Sequence, residues 1–351
     1  MSLLLALSSL LAACGGSAAP SAVPASSVAG PASAAAKPSA VASGSTVASA
    51  GASGLKRIRF GDISKSATSW PQYIATEKGF FAREGVQLET TYVGNVTTSA
   101  QAITGGSLDM ANTNFEVAIR GIEGGAPFRI VGSGMLKYPY SVMSDPKVKT
   151  AADMNGKRAV MAIAKSSSDV FFRRWLKQNN VSENNVEIIY SGATPDRYAA
   201  LKSGQVQAAL LTQPFDFRAG DEGYYKLMDM GKFVGNDYAF LAIISPKQWI
   251  KDNPDAVRGF LKAYSDGIDF LYDPKNKEEA ISILDKAISQ DHSIDVKAYD
   301  YYVNDLQPYT RKMAVPASAM QGMLDTVVEE GDLKSPTPPA SKYLDLGYLP
   351  Q

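Results

Sequence analysis

The chain has a single cysteine, Cys14, and a single histidine, His292. One cysteine excludes an intrachain disulfide and any cysteine-built metal cluster. One histidine excludes a multi-histidine zinc site and argues against Ser-His-Asp or Cys-His catalysis. His292 sits in the polar turn Gln290-Asp291-His292-Ser293 and reads as exposed and not catalytic. An excess charge of one sign is also missing. Lys+Arg is 35 and Asp+Glu is 35, so no long-range field draws nucleic acid to the surface. The apolar run at residues 3–13 is about half the ~20 residues that span a bilayer. No catalytic residue, cofactor or metal site is expected.

What is present begins with that apolar run of Leu, Ala and Ser, which suits the h-region of a secretory signal. It ends in Leu11-Ala12-Ala13-Cys14-Gly15, which resembles a bacterial lipoprotein lipobox. The usual basic n-region is missing, since only Met1-Ser2 precede the run. The resemblance implies lipidation of Cys14, a lipid anchor in the membrane, and a place outside the cytoplasm, in the periplasm or at the cell surface. Residues 15–54 are almost only Ala, Ser, Gly, Pro and Val. Such a tract buries too little apolar surface to offset its ordering entropy and is expected to be a disordered tether. Its r.m.s. span as a flexible chain is ~35 Å.

From residue 55 onward strands and helices alternate. Strand patterns at 57–61, 86–92 and 127–132 are separated by helical patterns at 70–84, 97–104 and 116–122. The order then restarts, with a capped turn at 150–156, strands at 158–163 and 186–190, and helices at 167–178 and 196–202. Two stretches mark the seam: Ala102-Ile103-Thr104-Gly105-Gly106-Ser107-Leu108-Asp109-Met110-Ala111 and Ala200-Leu201-Lys202-Ser203-Gly204-Gln205-Val206-Gln207-Ala208-Ala209. Each reads as a last helical turn, a glycine that takes the left-handed conformation, and an apolar strand. Pairing Arg57 with Arg158, Val86 with Val186 and Gly106 with Gly204 gives an offset of about 100 residues. One β-α-β-α-β unit is used twice, which argues for parallel sheets covered on both faces. Helical patterns at 253–271, 277–289 and 316–330 have no such partner and are expected to cover the first lobe, with a tail at 343–349 docking back.

The run Trp70-Pro71-Gln72-Tyr73-Ile74-Ala75-Thr76-Glu77-Lys78-Gly79-Phe80-Phe81-Ala82-Arg83-Glu84-Gly85-Val86 is similar to the entry helix of SsuA/TauA/NMT1-type solute-binding proteins of ABC importers. Gly106-Ser107-Leu108-Asp109, Asp153-Met154-Asn155-Gly156-Lys157-Arg158 and Ser203-Gly204-Gln205-Val206-Gln207-Ala208 agree, with Gln207 where an Asp is common. The resemblance implies a periplasmic-binding-protein-like α/β fold of type II. Two doubly wound lobes are joined by two crossovers, with a small-molecule ligand in the cleft and a permease and ATPase as partners. The expected boundaries are 1–14 signal, 15–54 linker, 55–140 with 241–351 lobe 1, and 141–240 lobe 2. A monomer is expected. An enzyme related to the family, a pyrimidine synthase, needs a reactive histidine and a cysteine-rich segment that this chain lacks. A sensor ectodomain using the same cleft is a further reading.

In open α/β sheets ligands sit beyond the carboxyl ends of strands, beside helix N-termini. Four polar loops fall there. The first offers Ser66 and Trp70, with Tyr73 just inside the helix; the second Asn112, Asn114 and Phe115; the third Ser166, Ser167 and Ser168; the fourth Thr212, Gln213 and Phe215. Tyr138, Tyr190 and Tyr238 are further aromatic candidates, and Arg197 or Lys137 would neutralise an anion. The hydroxyls and helix N-termini point to a small organic anion, sulfonate- or carboxylate-like, carrying a ring or apolar body. A neutral heterocycle such as a thiamine-precursor pyrimidine or riboflavin is the alternative.

Overall fold

The computed structural model describes residues 54–351, so the expectations for the signal, Cys14 and the linker lie outside the described residues. Strands β1 (Lys56–Asp62), β2 (Val86–Tyr92) and β3 (Met110–Asn114) pair in parallel, and β4 (Phe128–Met135) lies at the far edge. The chain then crosses into β5 (Tyr140–Ser144), followed by β6 (Lys157–Met161), β7 (Val186–Tyr190), β8 (Ala208–Thr212) and β9 (Tyr225–Asp229). It returns through β10 (Leu241–Pro246). The two sheets have the orders β2-β1-β3-β10-β4 and β7-β6-β8-β5-β9. They are mixed, not parallel. β10 runs antiparallel to β3 and β4, and β5 antiparallel to β8 and β9. The physical reason is the connectivity. Each sheet accepts one strand directly from the other lobe, and that strand enters from the carboxyl-end side of its parallel neighbours.

Between these strands lie α1 (Trp70–Glu77), α2 (Phe80–Arg83), α3 (Val96–Thr104), α4 (Phe115–Glu123), α5 (Ser167–Gln178), α6 (Thr194–Lys202), α7 (Phe215–Asp221) and α8 (Met230–Val234). The single helix expected over 70–84 is broken by Gly79 at φ 70°, where the chain turns between α1 and α2. Thr150 and Asp153 make the reciprocal capping bonds read from the sequence: Asp153 Oδ2 accepts from the Thr150 N–H at 2.8 Å, and the Asp153 N–H reaches Thr150 Oγ1 at 3.3 Å. Gly106 and Gly204, at φ 75° and 73°, follow α3 and α6 in the left-handed region.

Hydrogen bonds fix the internal repeat more closely than composition did. The Arg59 N–H donates to Asp109 Oδ2, and the Arg158 N–H to Gln207 Oε1. Arg59 registers with Glu89, and Arg158 with Glu187. The true partner of Arg158 is therefore Arg59, not Arg57, because β1 and β2 each start two residues earlier than β6 and β7 do.

The remaining chain forms α9 (Lys247–Asp252), α10 (Pro254–Tyr272), α11 (Lys277–Ile288), α12 (His292–Tyr299), a π-helical turn at Asp300–Leu306, and α13 (Ala317–Glu329). Asn253 does not cap α10 with its side chain; its Nδ2 donates to the Trp249 carbonyl at 3.0 Å. α10 packs on α1 and α2, and α13 on α4, so most of this region lies against the helices of the first sheet. The segment around α12 goes further and reaches lobe 2. Lys297 pairs with Asp221, and the Tyr301 ring meets Phe217 edge-on at 6.0 Å. The tail docks on β4, where Leu344 bridges Ile130 and Tyr343 is fully buried. No helix among the described residues is long and apolar enough to cross a membrane.

The α1–α10 contact needs Gly267. A Cβ there falls 2.2 Å from the Pro71 carbonyl oxygen, so the two helices must separate to admit it. Gly267→Ala is expected to cost about 1–3 kcal/mol, read as a lower midpoint in denaturant; an unchanged midpoint would show that the helices part freely.

Candidate functional site

The carboxyl ends of both sheets face each other across the crossovers, and the polar residues there are almost wholly buried. Contacts between the lobes account for that burial. Glu116, in the first turn of α4, accepts the Ser167 N–H at the start of α5 on Oε1 at 2.9 Å. The Ala67 N–H reaches the Gln213 carbonyl at 3.4 Å. At the rim, Arg120 Nη1 donates to the Lys165 carbonyl at 2.8 Å. A Cβ on Gly192 would lie 2.7 Å from that of Asn95, so the β7–α6 loop sits directly on the loop before α3. The lobes are shut on one another.

Three carboxylates are held in this closed region, each by a carboxamide. Asn112 Nδ2 donates to Asp62 Oδ1 at 3.2 Å, Asn114 Nδ2 to Glu116 Oε1 at 2.9 Å, and Gln213 Nε2 to Asp216 Oδ2 at 2.8 Å. An amide oxygen facing a carboxylate would be repelled, so each pairing fixes which way the amide is turned. The oxygens Asn112 Oδ1, Asn114 Oδ1 and Gln213 Oε1, together with Glu116 Oε2, have no hydrogen-bond partner within the protein. Nor have Gln72 Oε1 and the Tyr302 hydroxyl. Unpaired buried acceptors in such number are costly and call for donors from elsewhere.

Positive charge is scarce nearby. Among the described residues no Lys or Arg forms an ion pair with Asp62 or Glu116, and Lys226 lies 3.7 Å from Asp216. Burial pushes the Asp62 and Asp216 carboxyls above their ordinary range; hydrogen bonds from Ser69 and Asn112 oppose this at Asp62, and Lys226 and Ser141 at Asp216. Arg197, only 1% exposed, is the buried cation of lobe 2. Its donors are committed to the carbonyls of Leu210, Ser191 and Gly192 and to Thr194 Oγ1. Burial holds its pKa below the usual value, against the pull of Tyr140. Lys137 donates to the Leu306 carbonyl.

The residues expected from sequence divide. Asn112, Asn114 and Gln213 are buried at the strand ends, and Asn114 meets Ser167, at the start of α5, through Glu116. Ser66 and Ser168 are buried alongside them, Ser66 Oγ bonding Thr68 and Ser168 Oγ bonding Ser166. Ser166 is the N-cap of α5, accepting the Asp169 N–H. Thr212 bonds Thr194 within lobe 2. Tyr73, in α1, accepts the Ser66 N–H on its hydroxyl. Most of the other aromatics are committed to packing. Trp70 is fully buried between Tyr299 and Tyr302 and gives its indole N–H to the Ala280 carbonyl. Phe115 belongs to the core between α4 and α13, and Phe215 to that of lobe 2 beside Tyr198. Tyr138 and Tyr238 flank Phe171 at the crossovers. Tyr190 is 40% exposed and bonds Arg173 and Asp169. Their packing follows from the need to bury large rings, which the sequence alone does not separate from ligand contact.

The carboxylates Asp62, Glu116 and Asp216 were missed as site residues. A signal existed for two of them: a carboxamide followed two or three residues later by an acid, once in each lobe. Among the described residues no group of three or more His, Cys, Asp or Glu is placed to hold a metal.

Two mixed five-stranded α/β lobes closing on a buried polar seam define a solute-binding protein of the periplasmic-binding-protein fold. The chain belongs to the NMT1/THI5-like family, whose model matches residues 66–277. A binding protein of Brucella abortus is 25% identical over 277 residues, covering 77% of this chain and 85% of that one. The alkanesulfonate-binding protein SsuA of Xanthomonas axonopodis, solved with MOPS bound, superposes with a TM-score of 0.69 at 16% identity, over 83% of this chain and 98% of that one. The periplasmic nitrate-binding protein NrtA of Synechocystis gives a TM-score of 0.68 at 18% identity, over 81% and 83%. These likenesses in structure show the shared fold.

Proposed function

We propose that this protein is the extracytoplasmic receptor of an ABC importer, anchored through Cys14, that closes its two lobes on a small molecule and delivers it to a permease. The observation that carries the reading is the hydrogen bond from the Ser167 N–H to Glu116 across the lobes, amid buried acceptors that the protein itself does not pair. A buried seam of this kind is what a ligand-clamping cleft needs and what a purely structural interface avoids. Closing around a ligand is the hinge movement such lobes support, with the segments at 136–139 and 235–240 as the connections.

The anion expected from the loop hydroxyls finds few free donors here. Arg197 is spent on carbonyls, and the N-terminus of α5 is taken by Glu116.

The test is the double variant Asn114→Ala with Gln213→Ala. It is expected to remove ligand-dependent stabilisation while the protein keeps its far-UV spectrum. A ligand at 100 times its Kd stabilises by about 2.7 kcal/mol, so the loss is readable in a melting curve. Unchanged affinity in the double variant would show that the cleft lies elsewhere.

A further inference from the structure

The seam places the chain's own carboxylate where an anionic ligand would bind. A helix N-terminus offers free N–H groups and the positive end of the dipole. At α5 the Ser167 N–H is already received by Glu116 Oε1. Most of the remaining unpaired polar atoms of the seam are acceptors, and the hydroxyls of Ser167 and Tyr302 are the donors among them. Asn114 and Gln213 spend their N–H groups on Glu116 and Asp216, which leaves their oxygens free, and Glu116 Oε2 is free as well. All three side chains are at least 97% buried. Asp62 and Asn112 repeat the pattern at the ends of β1 and β3. Neither Asp62 nor Glu116 has a Lys or Arg partner among the described residues. Buried charges are normally paired, and a partner that arrives from outside would supply the missing positive charge.

We infer that the ligand of this cleft is a small organic cation, an ammonium or amidinium, whose N–H groups are received by Glu116 and by the free oxygens of Asn114 and Gln213. The inference rests on the receptor reading and narrows it. Charge-assisted hydrogen bonds to Glu116 would fix the ligand's orientation. The carboxamide oxygens and the Glu116 carboxylate would select for donors, since an anion beside them meets more acceptors than donors.

The experiment is native mass spectrometry of the protein purified from its own host, followed by calorimetry with defined probes. These are benzamidine, choline and putrescine as cations, and taurine, MOPS and nitrate as anions. The expected result is a cationic molecule held by the isolated protein and binding of at least one cationic probe. Glu116→Gln is expected to weaken that binding about tenfold or more, with no loss of melting temperature in the free protein. An anion held by the wild-type protein, or a Glu116→Gln variant that binds the cationic probe as tightly, overturns the inference. The first of those results leaves the receptor reading standing. A protein that holds no small molecule and responds to neither series overturns both.

Discussion

Replacing Arg197 by alanine is expected to lower the stability of the folded protein by about 3–5 kcal/mol, the largest loss from any single polar side chain in lobe 2. The guanidinium is a strut with little contact with water. Nε donates to Leu210 at 2.6 Å on β8, Nη1 to Ser191 and Gly192 at 2.8 and 2.7 Å in the loop after β7, and Nη2 to Thr194 at 2.8 Å. Truncation leaves those acceptors buried and unpaired, at about 1–3 kcal/mol for each that water fails to reach. It also removes the cation facing the Tyr140 ring at 6.0 Å. The repeat shows why the position matters. Its counterpart in lobe 1 is Ser99, whose hydroxyl reaches the Asn112 carbonyl at 2.5 Å as Nε of Arg197 reaches Leu210. Lobe 1 makes one bond where lobe 2 makes four. Arg197→Lys retains the charge without the planar fork and is expected to recover little. The measurement is a denaturant titration with a matching melting curve, with a fall in Tm on the order of 10 °C. A loss under about 1 kcal/mol would mean that water reaches those carbonyls, and that lobe 2 is looser than its burial indicates.

Arg197 also shows what the sequence does and does not disclose. The repeated β-α-β-α-β unit was legible because its signals are local. Glycine stops after α3 and α6, β-branched runs at β7, and the periodic apolar face of α10 each depend on a few adjacent residues. Asn112, Asn114 and Gln213 were legible as polar strand ends for the same reason. The mixed sheet was not, because strand direction in β5 and β10 depends on where the chain crosses between lobes. Nor was the charge balance of the seam. Arg197 read as a cation that would neutralise an anion, because its four acceptors are recruited only by the fold of β8 and the β7–α6 loop. Asp62 gave no signal, since its partners Ser69 and Asn112 come from two other segments. Trp70, Phe115 and Phe215 read as ligand candidates because an apolar ring at a strand end carries the same local signal whether it meets a ligand or the core, and in the structure each sits in a core cluster.

Stability is expected to fall as pH rises from about 4 to 8, and Asp295→Asn is expected to remove its own share of that dependence, the raised Asp62 and Asp216 carboxyls acting in the same direction. Asp295 is fully buried in α12, and neither of its carboxyl oxygens has a partner within the protein. Burial and the neighbouring Asp285 carboxyl of α11 push its pKa up to about 8, with Asp291 adding to the rise. A carboxyl whose folded pKa lies above its ordinary value holds a proton in the folded state that the unfolded chain releases. The folded state therefore loses ground as pH climbs from the ordinary carboxylate range towards 8. His292, exposed, donates to or accepts from Asp285 Oδ2 at 2.7 Å, and Asp285 raises its pKa. That pairing stabilises below the ordinary histidine value and is lost as pH rises, so it acts in the same direction. A full shift at Asp295 sets a limit of roughly 6 kcal/mol. Screening by solvent around the exposed ends of α11 and α12 brings the expected effect down to on the order of 2 kcal/mol. An asparagine at 295 carries no titrating group and offers an N–H to Asp285 Oδ1, which otherwise lacks a partner. Melting curves of wild type and variant should therefore converge near pH 4 and separate by pH 8, with the variant higher. A variant no more stable than wild type at pH 8 would mean that Asp295 is ionised in the folded protein, with solvent reaching between α11 and α12.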